Sequence, residues 1–147
     1  MKIKKSVFNR RFILISTFFL SLITIGWNLM LHFVILENST KSILGILRKD
    51  LTDTIWISIL LLIVIVLCFT LSFLKWRKKG TLTESLKHSL FFSVLIIFAV
   101  YVNEYILYDI PFIMILKWSL SSLIEYTLYG FLLKFFYNTL SKIENLK

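Results

Sequence analysis

The sequence predicts an all-α fold: a polytopic membrane protein that forms a four-transmembrane-helix bundle as one membrane domain over residues 1–147. Hydrophobic residues make up 58% of the chain and charged residues only 17%, whereas soluble proteins average about 25% charged residues. Apolar runs recur at lengths close to the roughly 20 residues that cross a bilayer. These observations exclude an ordinary soluble domain.

The apolar runs predict spans at about residues 12–36, 54–76, 86–108 and 111–137. The first run is longer than the hydrophobic region of a signal peptide, so we expect it to be retained. Residues 41–51 predict a short amphipathic helix on the outer membrane surface, because Ile and Leu side chains share a face opposite basic ones. Asp109 and Pro111 predict a turn that folds the last two spans into a hairpin.

The net charge of +9 comes mainly from three basic stretches, at residues 2–11, 75–87 and 134–147. A four-span topology places all three on one side of the membrane. Because basic residues stay on the cytoplasmic side, both termini are predicted to be cytoplasmic. We expect these residues to contact membrane lipids through their anionic headgroups. We predict no nucleic-acid partner, since the basic residues do not form a stripe on a soluble face.

Composition also predicts the compartment. Cys68 is the only cysteine, so no intrachain disulfide or cysteine metal cluster can form. Its place in an apolar run predicts a buried, inert thiol. The chain is rich in Ile, Lys, Asn and Phe and poor in Ala, and it carries no organelle signal. This amino-acid usage suggests an AT-rich genome. Together with the absence of disulfides and of an organelle signal, it favours a multi-pass protein of the bacterial cytoplasmic (inner) membrane.

Polar side chains in the first span predict a face that points into the bundle. Ser21, Thr24, Asn28 and His32 follow one another at spacings of three, four and four residues, which places them on one side of a helix. Lipid would contact the other side, so this stripe is expected to meet the other spans. His32 and Asn28 are candidate binding residues near the outer interface.

Glu104 and Lys117 are predicted to lie at one depth, on opposite sides of the turn near Pro111. An ion pair across the hairpin is the expected result, because charged groups near hydrocarbon are costly and tend to pair or to reach the interface. Such a pair either joins the two helices or contacts a substrate.

Glu125 is the strongest functional signal. It lies eight residues beyond Lys117, or about 12 Å deeper in a helix, which is close to the bilayer midplane. Ser121 precedes it by one turn and Tyr129 follows by one turn. An acid at this depth is a candidate proton or cation site. Alternatively, a protonated Glu125 bonds to Ser21 or Thr24 and holds two helices together.

The remaining motifs do not predict soluble catalysis. His88 follows Lys87 near the basic side and is expected to contact lipid headgroups. The sequence contains no HExxH, no GxSxG and no phosphate-binding glycine loop. We therefore predict no metal, no cofactor and no assigned catalytic residue.

Three functions stay open. The favoured one is an accessory, assembly or protective subunit that acts through helix packing with other membrane protein subunits. The second is an oligomeric small transporter or channel for ions or small solutes. Its polar path would be lined by six side chains: Asn28, His32, Glu104, Lys117, Ser121 and Glu125. The third is an intramembrane lipid-modifying enzyme with Glu125 or His32 as general base. Four spans enclose little volume, so a transporter would need a homo-oligomer.

Overall fold

Helices account for every element in the part of the chain that the structure describes. The computed structural model describes residues 2–31 and 51–145, and the side chains of residues 8–31 and 55–143. The elements are α1 (Lys2–Met30), α2 (Leu51–Trp76), α3 (Leu82–Ile96), a π-helical segment (Ile97–Val102), α4 (Asn103–Leu107) and α5 (Phe112–Asn145). The all-α prediction is confirmed.

Three stretches of the described helices are long and apolar enough to cross a membrane. They are Phe8–Met30, Ile55–Trp76 and Leu82–Leu107. Helix α5 is long enough, at 34 residues, but it is not among them, because Lys117, Glu125 and Lys134 lower its mean hydropathy. The membrane helices are therefore supported, while the fourth span and the orientation of the termini stay predictions.

The helix boundaries agree with the predicted spans in part. Helix α2 ends at Trp76, where the second span was expected to end, but α3 begins four residues before residue 86, and α5 continues past residue 137 to Asn145. The predicted turn is confirmed, since residues 108–111 lie outside helices and the Met114 N–H donates to the Pro111 carbonyl oxygen at 2.8 Å. The predicted surface helix at 41–51 lies outside the described residues, apart from Leu51, which begins α2.

Helix α5 packs along both α3 and α1, while α2 packs mainly against α1. The contact between α3 and α5 is close because both helices present small side chains there. A Cβ atom added to Gly130 would lie 3.0 Å from the Ser89 Oγ atom and 3.2 Å from the Leu86 Cα atom. Small residues of this kind let helix backbones approach closely in membranes.

Contacts of Arg77 bring the basic ends of three helices together. Its guanidinium group donates to the Tyr137 hydroxyl at 3.0 Å and to the Asn9 side-chain oxygen at 3.4 Å. It also lies 4.6 Å from the centre of the Tyr137 ring, a cation–π contact. Nearby, the Lys134 ammonium donates to the Gly80 carbonyl oxygen at 2.6 Å. Residues of the three basic stretches thus meet at one end of the bundle.

Aromatic side chains fill the core next to this basic end. Phe12, Phe69 and Phe73 are fully buried and belong to one hydrophobic cluster. Because α2 turns Phe69 and Phe73 inward, Cys68 lies on another face of the helix and is exposed. The prediction of a buried Cys68 is therefore wrong.

The Gly130 contact predicts a large effect of one added methyl group. Gly130→Ala should lower the free energy of unfolding by about 1–3 kcal/mol, because overpacking forces α3 and α5 apart. The check is the unfolding transition of the purified protein in detergent micelles.

Gly26→Ala is the matched control, because no atom lies within 4 Å of the Cβ it would add. It should be neutral or slightly stabilising, since alanine favours helices. Equal losses of stability for the two variants would contradict close packing at Gly130.

Candidate ligand-binding cavity

A polar stripe on α5 faces α1 and forms the basis of the candidate site. Ser121, Glu125 and Tyr129 recur every four residues, so they lie on one side of the helix. All three are buried, whereas Leu120 and Ile124 are exposed. Helix α5 therefore turns its polar side into the bundle and its apolar side outward, as a helix surrounded by lipid should.

Hydrogen bonds join this stripe to α1. The Trp27 indole N–H donates to the Ser121 hydroxyl at 2.8 Å. One turn earlier in α1, the Thr24 hydroxyl is hydrogen bonded to the Tyr129 hydroxyl, which is also hydrogen bonded to the Glu125 carboxylate. The sequence predicted a direct bond from Glu125 to α1. The observed link runs through Tyr129, because the long tyrosine side chain reaches between Glu125 and Thr24.

These oxygen atoms can hold their protons in two arrangements. The Thr24 hydroxyl also lies 2.8 Å from the Leu20 carbonyl oxygen, to which it can donate. When Glu125 is ionised, Thr24 donates to Tyr129 and Tyr129 donates to Glu125. When Glu125 is protonated, it donates to Tyr129, Tyr129 donates to Thr24, and Thr24 donates to Leu20. Since each hydroxyl has one proton to donate, the same side-chain positions satisfy both charge states of Glu125.

Glu125 also lines a partly open cavity of about 170 Å³. Its polar lining comes from α1, α5 and the π-helical segment, and consists of Thr24, Asn28, Tyr101, Glu125, Tyr126 and Tyr129. Its aliphatic lining comes from α2, α3 and the π-helical segment, and consists of Leu62, Ile65, Val66, Ile96 and Val100. The cavity lining thus combines polar side chains, mostly from α1 and α5, with aliphatic side chains, mostly from α2.

The π-helical segment contributes Val100 and Tyr101 to this cavity. A π-helical turn is wider than an α-helical turn and is frequently found at functional sites. The Tyr101 ring also packs on Trp118 of α5, with ring centres 5.9 Å apart. Sequence reasoning missed Tyr101 as a site residue, because Ile97–Val102 contains neither Gly nor Pro to mark an irregular helix.

The other predicted site residues divide between the cavity and its surroundings. Asn28 lines the cavity, and its side-chain amide donates to the Thr24 carbonyl oxygen at 2.9 Å. Glu104 in α4 and Lys117 in α5 are both half-buried and do not belong to the cavity lining. Their ion pair stays a prediction. His32 lies outside the described residues.

His88 occupies a position that the sequence did not predict. It is 1% exposed rather than at the headgroups, and its ring packs on Phe69 with centres 4.9 Å apart. Its Nε2 atom lies 2.8 Å from the Ser72 hydroxyl, which itself donates to the Phe69 carbonyl oxygen. Ser72 therefore accepts from an Nε2–H group, while the buried Nδ1 atom has no partner. The preceding residue, Lys87, suggested that His88 lies at the membrane surface. Ser85 and Ser89, which are near His88 in the sequence and are buried, were the better sign of an inward-facing side of the helix.

Comparisons with protein-family models, curated proteins and solved structures give no match to this chain. Within the described residues, no group of three or more His, Cys, Asp or Glu side chains is placed to hold a metal ion. The cavity around Glu125 is therefore the candidate functional site.

The bond between Thr24 and Tyr129 predicts a coupled effect on stability. Tyr129→Phe should lower the free energy of unfolding by about 1–3 kcal/mol, because it removes the hydrogen bond to Thr24 and also the bond to the buried Glu125 carboxyl. Thr24→Val should remove the first of these bonds, so the double variant should cost less than the sum of the two single variants. Unfolding in mixed micelles measures all three.

Tyr126→Phe is the matched control, since it removes a hydroxyl from the same cavity but leaves the Thr24–Tyr129–Glu125 bonds intact. Strict additivity of Thr24→Val and Tyr129→Phe would show that the two hydroxyls do not stabilise the fold through each other.

Proposed function

We propose that this chain is a multi-pass protein of the bacterial cytoplasmic membrane that binds a small cation at Glu125 and transports it as an oligomer. The single observation behind this proposal is the position of Glu125. The side chain is only 9% exposed, yet it lines a cavity to which α1, α2, α3 and α5 all contribute. Ionisable groups within membrane helices are costly and mark substrate or ion pathways.

Proton exchange gives this site a simple mechanism. A cation that enters the cavity replaces the carboxyl proton of Glu125, and the proton leaves through the cavity to water. One positive charge replaces another, so the site stays neutral in both states. Thr24 and Tyr129 adapt by turning their hydroxyl protons. This chemistry favours exchange of a cation against a proton.

Substitution of Glu125 tests the proposal. Glu125→Gln keeps the shape of the side chain but removes its charge and its exchangeable proton. In vesicles with an acidic interior, external sodium, potassium or tetramethylammonium should drive proton efflux through the wild-type protein; tetramethylammonium is an organic cation with no free base that crosses lipid unaided. We expect the flux to fall at least tenfold in the variant, measured with an internal pH-sensitive dye.

Glu84→Gln is the control for this experiment. Glu84 accepts hydrogen bonds from the backbone N–H groups of Lys78, Lys79 and Gly80 at the basic end of the bundle, away from the cavity lining. Its substitution should leave the flux unchanged. Equal fluxes through the wild type and Glu125→Gln for every cation would refute transport at this site.

A second function is supported by a different observation. Residues 55–61 of α2 are all exposed, so the rest of the described chain covers little of this part of the helix. In a bundle of four helices, a neighbouring chain can cover such a stretch. An accessory or assembly subunit that packs through α2 would use this surface, and so would a homo-oligomer.

A cysteine placed on this surface distinguishes the two arrangements. Leu60, which is 55% exposed, is changed to cysteine in a Cys68→Ser background, and the protein is oxidised in native membranes. We expect a disulfide-linked dimer of this chain if the transporter is a homo-oligomer. A covalent product with a different protein would instead support the accessory-subunit function.

A further inference from the structure

We propose that the ligand of the Glu125 cavity is a small amphipathic organic ammonium ion, with a hydrocarbon body of about six carbon atoms. This inference rests on the proposed function and specifies its substrate class. It is carried by the composition of the cavity lining, in which Glu125 and other polar side chains occur together with aliphatic side chains, mainly from α2.

The polar lining suits one ammonium group. Glu125 provides the negative charge, and it is the one carboxyl group in the described lining of the cavity. Tyr101, Tyr126 and Tyr129 add aromatic rings, whose faces attract organic cations. Asn28 adds an amide oxygen as a further acceptor. A primary ammonium group has about three N–H donors, and the Glu125 carboxylate and the Asn28 amide oxygen can accept from them.

The aliphatic lining argues against a bare metal ion. Hard metal ions take about six or more oxygen ligands distributed around them. Here two of the oxygen atoms, from Thr24 and Tyr129, already bond to each other. Leu62, Ile65 and Val66 of α2 contribute only hydrocarbon to the lining. A ligand with an alkyl body would cover this surface, as ligands in mostly apolar pockets do.

The cavity volume limits the size of the ligand. A cavity of about 150 Å³ in another protein holds a benzene molecule, and the volume here is about 170 Å³. A six-membered hydrocarbon ring with one ammonium group therefore matches the space. Cyclohexylammonium has this size and charge, and cyclohexanol has the same shape without the charge.

The test measures binding by isothermal titration calorimetry to the full chain in lipid nanodiscs, with empty nanodiscs as blank. The probes are cyclohexylammonium, cyclohexanol, methylammonium and sodium. The wild-type protein should bind cyclohexylammonium at least tenfold more tightly than each of the other three. Glu125→Gln should weaken cyclohexylammonium binding at least tenfold and leave cyclohexanol binding unchanged.

The possible results separate this inference from the proposed function. Methylammonium or sodium binding that depends on Glu125 and equals or exceeds cyclohexylammonium binding would overturn the ligand class but preserve a cation site. Binding of no cation through Glu125 would overturn both. The probe series on the wild type decides the ligand class even if Glu125→Gln fails to fold.

Discussion

Burial of the Glu125 carboxyl group is the constraint on which the arrangement of helices depends. A carboxyl group in hydrocarbon needs hydrogen-bond partners, and α5 supplies one of them itself, Tyr129, one turn away. Tyr129 in turn needs a partner from another helix, which Thr24 of α1 provides. The helix that carries the acid is thereby held against α1, and its exposed side is left apolar.

The bundle interior changes along its length. Near the basic end, Phe12, Phe69 and Phe73 fill the core, and Arg77 bonds to Tyr137 and Asn9. Farther along, residues 55–61 of α2 are exposed, and the π-helical segment after α3 lines the cavity. A filled core near the basic end can keep the helices in register while the bundle farther along retains space for a ligand.

The sequence predicted the periodic features of this fold and missed those set by tertiary contacts. The inward face of Ser21 and Thr24 and the turn before Pro111 follow from spacing and from proline geometry, and both were predicted. The π-helical segment has no signature in Ile97–Val102, since its residues also suit an α-helix. His88 was misplaced because its neighbour in sequence, Lys87, is charged, whereas its neighbours in space are Phe69 and Ser72.

The limited apolarity of α5 has a consequence for how the protein is made. Insertion machinery releases a helix into lipid according to its apolarity, and Lys117, Glu125 and Lys134 weigh against release of α5 alone. The preceding α3–α4 stretch is apolar enough and is joined to α5 by residues 108–111. If α5 crosses the membrane as the sequence predicts, it would enter best together with this stretch, with Gly130 against Leu86.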